Sequence, residues 1–466
     1  MATRGRKPKG RGGGKRDARI DLLKAVSLLQ ECLTEAICQK VFRLTRTTER
    51  VREWTLKALV DFWTAVTLRA PPSLTSALHE AQEGSGNGWP EVPATSKQGF
   101  FERCKDLRWE FFANLYAAFR DRLVKKAPPV FCAEITPLLK EFPNIWAIDG
   151  SRLDAVAHRL KILWDERSAI LPGCLEVCYD LVRGIPRVFR FHPDAAAAEM
   201  GRAREALEEV PAGTLLLGDR LYASVEYFGR LTKKGIYGLF RRNRSVHLRK
   251  LKRLSRIRIA GGILEDWLVE AGTGQTAVPQ RLRWIRFRCG RVRLDSLTNV
   301  LEPQRLPADL AWALYPFRWS IERMFYDLKE VLNLHCFYAS NPNAVAMQVY
   351  AAAMVYTALR VAQGLGARDA GVEPETISTE KFFPRVAAAS VMWTAVKLVR
   401  GEYVRANPGR TIHEPAWRRR GFASVRLSDV RVEKRKDFRR RRRFCVSRAR
   451  WKSYAHVRGG RALLRN

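Results

Sequence analysis

Two short apolar runs, each stopped by an aspartate, constrain this chain more than any other feature. Ile145-Trp146-Ala147-Ile148 runs into Asp149-Gly150, and Leu215-Leu216-Leu217-Gly218 runs into Asp219. Short apolar runs bounded in this way read as buried strands. The pattern keeps alternating around them. Residues 175–181 and 187–191, separated by Arg183-Gly184-Ile185-Pro186, read as a hairpin; 195–210 and 224–233 read as helices, and 237–240 as a strand. Three strands followed by alternating helix and strand predict an α/β sheet with a hairpin on one side. Functional groups in such sheets gather beyond the carboxyl ends of the strands, which makes Asp149 and Asp219 candidate site residues. Either one alone reads equally well as a turn or helix-cap residue.

A third candidate comes from a helix. Residues 316–332 read as one long regular helix that starts at Pro316, with Tyr315 just before it. At ~100° per residue, Arg318, Glu322 and Lys329 fall within a sector of roughly 40°. Phe317, Ile321, Met324, Phe325, Leu328 and Leu332 occupy the broad remaining face. The helix is therefore expected to bury that face on the sheet and to present Arg, Glu and Lys in a line at its margin. On spacing alone, the line also suits a surface helix with an Arg318–Glu322 ion pair.

The amino-terminal third has a different character. Residues 1–17 are rich in Gly, Lys and Arg and read as a flexible basic arm. Apolar residues then recur at helical spacing, as in Leu22, Leu23, Val26, Leu29, Leu33 and Ile37. A second helix is expected over 49–68, ending before Pro71-Pro72, and a third over 100–125, ending before Pro128-Pro129. Residues 245–300 show short β-like pieces at 283–287, 291–294 and 296–301. The apolar stretch 344–362 contains Gln348, Thr357 and Arg360, so it reads as a buried helix rather than a membrane span. Basic clusters stand near the carboxyl end, at 418–420 and 439–443.

Charge names the class of partner. Against 47 Asp and Glu stand 84 Lys and Arg, a net charge of +37. Self-repulsion on that scale is relieved by a polyanion, and a basic globular chain of this size points to nucleic acid. The nine cysteines include no C-x-x-C pair, and Cys174 and Cys178 have no partner at zinc-like spacing. Buried free thiols in a reducing compartment are expected. The amino end has no apolar segment of a secretory signal, so a soluble cytoplasmic location is expected.

The motif Tyr315-x2-Arg318-x3-Glu322-x6-Lys329 resembles in full the signature of the bacterial cut-and-paste transposases of insertion-sequence family four. Asp149 in Ile-Asp-Gly-Ser, Asp219 in Gly-Asp-Arg-x-Tyr with its Tyr222, and Leu297-Thr298-Asn299 resemble the surroundings of the family's acids. The likeness spans roughly 140–360. It implies a ribonuclease-H-like α/β catalytic core at 141–365 with a β-rich insertion at about 245–300. An all-helical DNA-binding domain at 18–140 would precede this core, and a basic region at 366–466, contributing to dimerisation and DNA contacts, would follow it.

The resemblance further implies that Asp149, Asp219 and Glu322 hold two magnesium ions, replaceable by manganese, with Asp149 bridging them. Tyr315, Arg318, Lys329 and Tyr222 would engage the transposon-end DNA. Trp267 and Trp284, in the insertion, are candidates to stack on a displaced base, though an aromatic inside β structure more often belongs to the core. The implied partners are double-stranded DNA, as terminal inverted repeats and as target, and a second copy of the chain in a synaptic dimer. No membrane is implied, and a bacterial chain of this kind would associate with the nucleoid when bound to DNA. Two other readings stay open: a stand-alone metal-dependent nuclease on the same fold, and a catalytically silent DNA-binding protein derived from a transposase.

Overall fold

The computed structural model describes residues 18–45, 52–83, 89–153, 173–194, 197–259, 261–272, 278–339, 341–391 and 424–432. The expected basic arm at 1–17 and the clusters at 418–420 and 439–443 lie outside the described residues. A short strand, β1 (Arg19–Asp21), leads into α1 (Leu23–Cys32), α2 (Glu35–Thr45), α3 (Leu56–Arg69), α4 (Leu74–Gln82), α5 (Lys97–Asp106) and α6 (Glu110–Val124). The side chains of Thr55, Ser73 and Ser96 accept from the backbone N–H groups of Ala58, Ser76 and Gly99, which fixes the starts of α3, α4 and α5. The helix expected over 100–125 is in fact two, because Leu107 takes an extended conformation and ends α5.

From Ile145 the chain builds a nine-stranded sheet. Its strands are β2 (Ile145–Arg152), β3 (Cys174–Asp180), β4 (Ile185–His192), β5 (Leu215–Gly218), β6 (Tyr237–Arg241), β7 (Leu248–Ile259), β8 (Gly262–Ala271), β9 (Gln280–Cys289) and β10 (Val292–Thr298). Their order is β4-β3-β2-β5-β6-β10-β9-β8-β7. The first three are antiparallel neighbours, and β2, β5 and β6 run parallel. An antiparallel three-stranded meander continued by two parallel strands is the ribonuclease-H-like arrangement.

Two helices, α7 (Glu199–Ala206) and α8 (Val225–Lys233), supply the connections between β4, β5 and β6 and cover one face. The expected helix over 195–210 is shorter, and its end tightens into a 3-10 turn at Leu207–Glu209. Residues 245–300 form long strands instead of the short pieces expected. They do not fold away from the core: β10 pairs with β6, so they prolong the same sheet. The fully buried Arg283 on β9 fastens this extension. It reaches Asp266 on β8 at 2.5 Å, and the carbonyls of Val300 and Leu306 at 3.2 and 2.8 Å.

After α9 (Ala308–Leu314) comes a composite helix: a 3-10 turn (Tyr315–Arg318), α10 (Trp319–Tyr326) and a π turn (Asp327–Val331). The regular helix expected over 316–332 is therefore wound in three ways. The long α11 (Pro342–Asp369) is long and apolar enough to cross a membrane, yet 94% of its most apolar window is buried inside the protein. It packs against α1, α3 and α6 and against β4. A last described strand, β11 (Ser424–Arg426), pairs with β1. The described cysteines are free; Cys289 is only half-buried and Cys336 is exposed, whereas the others are buried as expected.

Candidate active site

Parallel pairing between β2 and β5 ends at Ala147 and Leu217, and both aspartates lie just beyond it. Asp149 is carried on β2, which runs on to Arg152, and Asp219 follows Gly218 at the end of β5. Glu322 occupies the first turn of α10. Three distant parts of the sequence thus meet around Arg318. Its Nη1 is 3.5 Å from Asp149 Oδ2, and its Nη2 is 2.8 Å from Glu322 Oε1. Arg318 is only 7% exposed. Burial works against its charge, but Tyr315, Glu322, Asp149 and Asp219 together hold its pKa above the ordinary arginine value. Burial pushes the Asp149 carboxyl up to about 7; Arg318 opposes the rise, while Glu199 and Glu322 add to it.

The composite helix grips both acid-bearing strands. Tyr315, itself buried, donates from its hydroxyl to Gly218 O at 3.3 Å, immediately before Asp219. Lys329 Nζ donates to Ser151 Oγ at 2.9 Å and to Arg152 O at 2.6 Å, immediately beyond Asp149. Ile321, Met324, Phe325, Leu328 and Leu332 are buried, and Phe317 is half-buried. The uniform 100° wheel does not apply at Lys329, which lies in the π turn. Arg318 and Lys329 still both reach β2.

Three carboxylates are the hard-oxygen donor set that magnesium and manganese prefer. Among the described residues no three His, Cys, Asp or Glu side chains are grouped closely enough to hold one ion. The Arg318 fork instead contacts two of the three donors. The donor set fits a divalent cation in kind, and here a guanidinium provides the opposing charge.

Tyr222 is completely buried and lies where its side chain faces protein on all sides. Its hydroxyl is 3.1 Å from Glu176 Oε1 and 3.2 Å from Glu199 Oε1. Burial pushes the fully enclosed Glu176 up to about 8, Glu199 adds to the rise, and Arg202, 3.7 Å away, opposes it. A protonated Glu176 can donate to the phenol oxygen while the phenol donates to Glu199. Sequence reasoning missed this cluster. The one signal was Glu176 itself, an acid in the middle of the apolar run of β3.

A cavity of about 530 Å³ opens beside Asp219, lined also by Arg220, Leu221, Arg241, Arg242, Asn243 and Arg244. Four arginines against one carboxylate give it a basic lining, and the run Arg241-Arg242-Asn243-Arg244 at the end of β6 was the signal in the sequence. Arg242 also lies over the Trp284 ring, 4.6 Å from its centre. Trp284 is buried, donates to Asp295 Oδ1 at 3.1 Å, and pairs in register with the half-buried Trp267. Arg286 covers Trp284 at 4.2 Å, and Lys250 covers Trp267 at 4.2 Å. The two tryptophans are therefore cross-strand neighbours under basic side chains, joined to the Asp219 cavity through Arg242.

Comparison with known proteins finds transposases. The family described as the transposase DDE domain matches residues 172–358, which include Asp219, Glu322 and the whole Tyr-Arg-Glu-Lys line but not Asp149. A Sinorhizobium fredii protein named as a transposase is 28% identical over 209 residues, 43% of this chain. The chain spans 57% of that relative's length. A Geobacillus stearothermophilus protein, named as the transposase of insertion sequence element IS5377, is 27% identical over 72% of this chain and 83% of its own length. A solved piggyBac transposase synaptic complex with hairpin DNA aligns with 86% of this chain and 90% of its own at 10% identity, with a TM-score of 0.39, too loose a likeness to build on.

Proposed function

We propose that this chain, which carries a transposase DDE domain, is a DNA transposase that cuts at transposon ends and joins them to target DNA. The observation that carries the reading is the meeting of Asp149 and Glu322 on Arg318, with Asp219 at the neighbouring strand end. Asp149, Asp219 and Glu322 would hold divalent cations, magnesium or manganese. When bound, two such ions supply an activated water and neutralise charge on the attacking and leaving oxygens. Cut-and-paste order, with a freed 3′ hydroxyl attacking target DNA, belongs to the same proposal, as do the cytoplasmic site of action and a synaptic dimer.

The chain's own residues have separable tasks. Arg318 offers a planar fork to a phosphate and Lys329 a point charge; both exchange their present protein partners for the DNA strand. Arg220, Arg241 and Arg244 line the wall beyond Asp219 and hold the phosphates that flank the reacting one. Arg242 continues that track onto the Trp267–Trp284 pair. The helical residues 18–140 would read the ends, and 366–466 would add DNA contacts and part of the dimer contact.

The test is a strand-transfer assay. Duplex DNA carrying the inverted repeats that flank the gene is incubated with supercoiled plasmid, magnesium and the protein. Joined product is expected. Cutting without joining would leave a nuclease, and binding without cutting would leave a silent DNA-binding protein.

A further inference from the structure

We propose that Tyr222, Glu176 and Glu199 form a positioning brace that sets the distance between Asp149 and Asp219, and with it the affinity of the acid site for a divalent cation. The inference rests on reading the two aspartates as cation ligands.

Two glycines mark the ends of the brace. A Cβ on Gly218, just before Asp219, would stand 3.0 Å from Tyr222 Cδ2 and 2.9 Å from Phe240 Cδ1. A Cβ on Gly150, just after Asp149, would stand 3.1 Å from Glu176 Oε2, 3.3 Å from Glu199 Oε1 and 3.4 Å from Arg202 Nη2. Neither glycine has the positive φ that would demand glycine for its own backbone. What each permits is close approach. The Tyr222 ring therefore packs on the backbone just before one acid, and the two glutamates pack on the backbone just after the other. The phenol hydroxyl joins them, at 3.1 and 3.2 Å.

Tyr222 is also tied to the second acid along the chain, because its N–H donates to Asp219 O at 3.2 Å. On the other side, Glu176 is the register partner of Gly150 on the neighbouring strand. Arg202 completes the group, bonding Ala197 O and lying 3.7 Å from Glu176. Apolar side chains of similar volume would fill this space with no charge to desolvate. A phenol wedged between carboxylates adds direction: it fixes one separation of the strand ends, where apolar packing would tolerate several. Groups that orient metal ligands from behind commonly change affinity by ~10–100-fold. Because this brace works through backbone, its effect is placed below that range, reaching at most its lower limit.

The experiment titrates Mn2+ alone into the full-length, DNA-free protein and follows free Mn2+ by electron paramagnetic resonance. Tyr222→Phe keeps the ring and removes only the hydroxyl; Glu199→Gln, at the start of α7, is the second variant. Tyr116→Phe is the control, since it removes another buried hydroxyl, bonded to Pro186 O at 3.1 Å and remote from the acids. Tyr222→Phe and Glu199→Gln are each expected to raise the half-saturating Mn2+ concentration by about three- to tenfold. Tyr116→Phe is expected to leave it unchanged even if it lowers the melting temperature equally. Wild-type Mn2+ affinity in Tyr222→Phe, or an equal loss in Tyr116→Phe, overturns the brace. Asp219→Asn separates the two levels: if it binds Mn2+ as well as wild type, the ligand reading falls and the brace with it. If it loses binding while Tyr222→Phe does not, only the brace falls.

Discussion

At Arg318 one guanidinium serves two carboxylates, so a change at either alters what the other faces. Glu322→Gln keeps the size of the side chain and an oxygen that can accept from Arg318 Nη2, but loses the charge. The helix should stay in place. DNA binding is expected to stay within about twofold of wild type, while cleavage falls by at least ~100-fold, since groups merely behind a metal ligand already cost 10–100-fold. Gel-shift and nicking assays on one labelled duplex read both; a parallel loss of binding would make Glu322 structural instead. The arginines beside Asp219 make a different kind of claim. Arg241 and Arg244 stand exposed on a cavity holding one carboxylate. If both neutralise phosphates, replacing them with alanine should reduce the slope of log K against log salt by about 1.8. An unchanged slope would remove them from the DNA track.

The elements show what could be read from the chain and what could not. The strands bearing Asp149 and Asp219, the hairpin between them and α8 follow from apolar runs and turn residues, and they appear where expected. The composite helix was legible as a helix but not in its winding, because the π turn is set from outside it. Asp327, buried in that turn, accepts from Arg323 at 3.1 Å and from Thr379 Oγ1 at 2.8 Å, a partner far along the chain. Strand β7 was not legible at all. As an edge strand it bears Arg249, Lys250, Lys252, Arg253, Arg256 and Arg258, so alternation of apolar and polar residues is lost. Nor could sequence disclose that Arg283 and Asp266 meet with no exposure on either side. Asp266→Ala would strand a buried guanidinium, which costs ~3–5 kcal/mol. The urea midpoint should fall accordingly; a loss under about 1 kcal/mol, the scale of an exposed pair, would mean water reaches Arg283.

Across the whole molecule, α11 changes how the amino-terminal helices relate to the catalytic sheet. The composition supports a helical third and an α/β core, and a break between them near residue 140 is natural to expect. Contacts between domains of one chain usually resemble protein–protein interfaces, limited in area and partly polar. The contact here is of another kind. One apolar cluster runs without interruption from Leu28, Phe62 and Phe119 through Val355 and Leu359 of α11 to Val177 and Leu217 beneath the acids. Tyr116 of α6 bonds Pro186 O in β4, and Tyr350 of α11 accepts from Phe191 N. Neither part can shed the other without exposing α11, most of which is buried. Urea unfolding should therefore appear as one transition. Amide hydrogen exchange, read by mass spectrometry separately for the helices at 56–124 and the strands at 145–241 across a urea series, should give coincident midpoints. Two separated midpoints would make the helical third an independent domain, free to move relative to the acids. A single one would mean that the helical third and the acid-bearing sheet unfold as one cooperative unit.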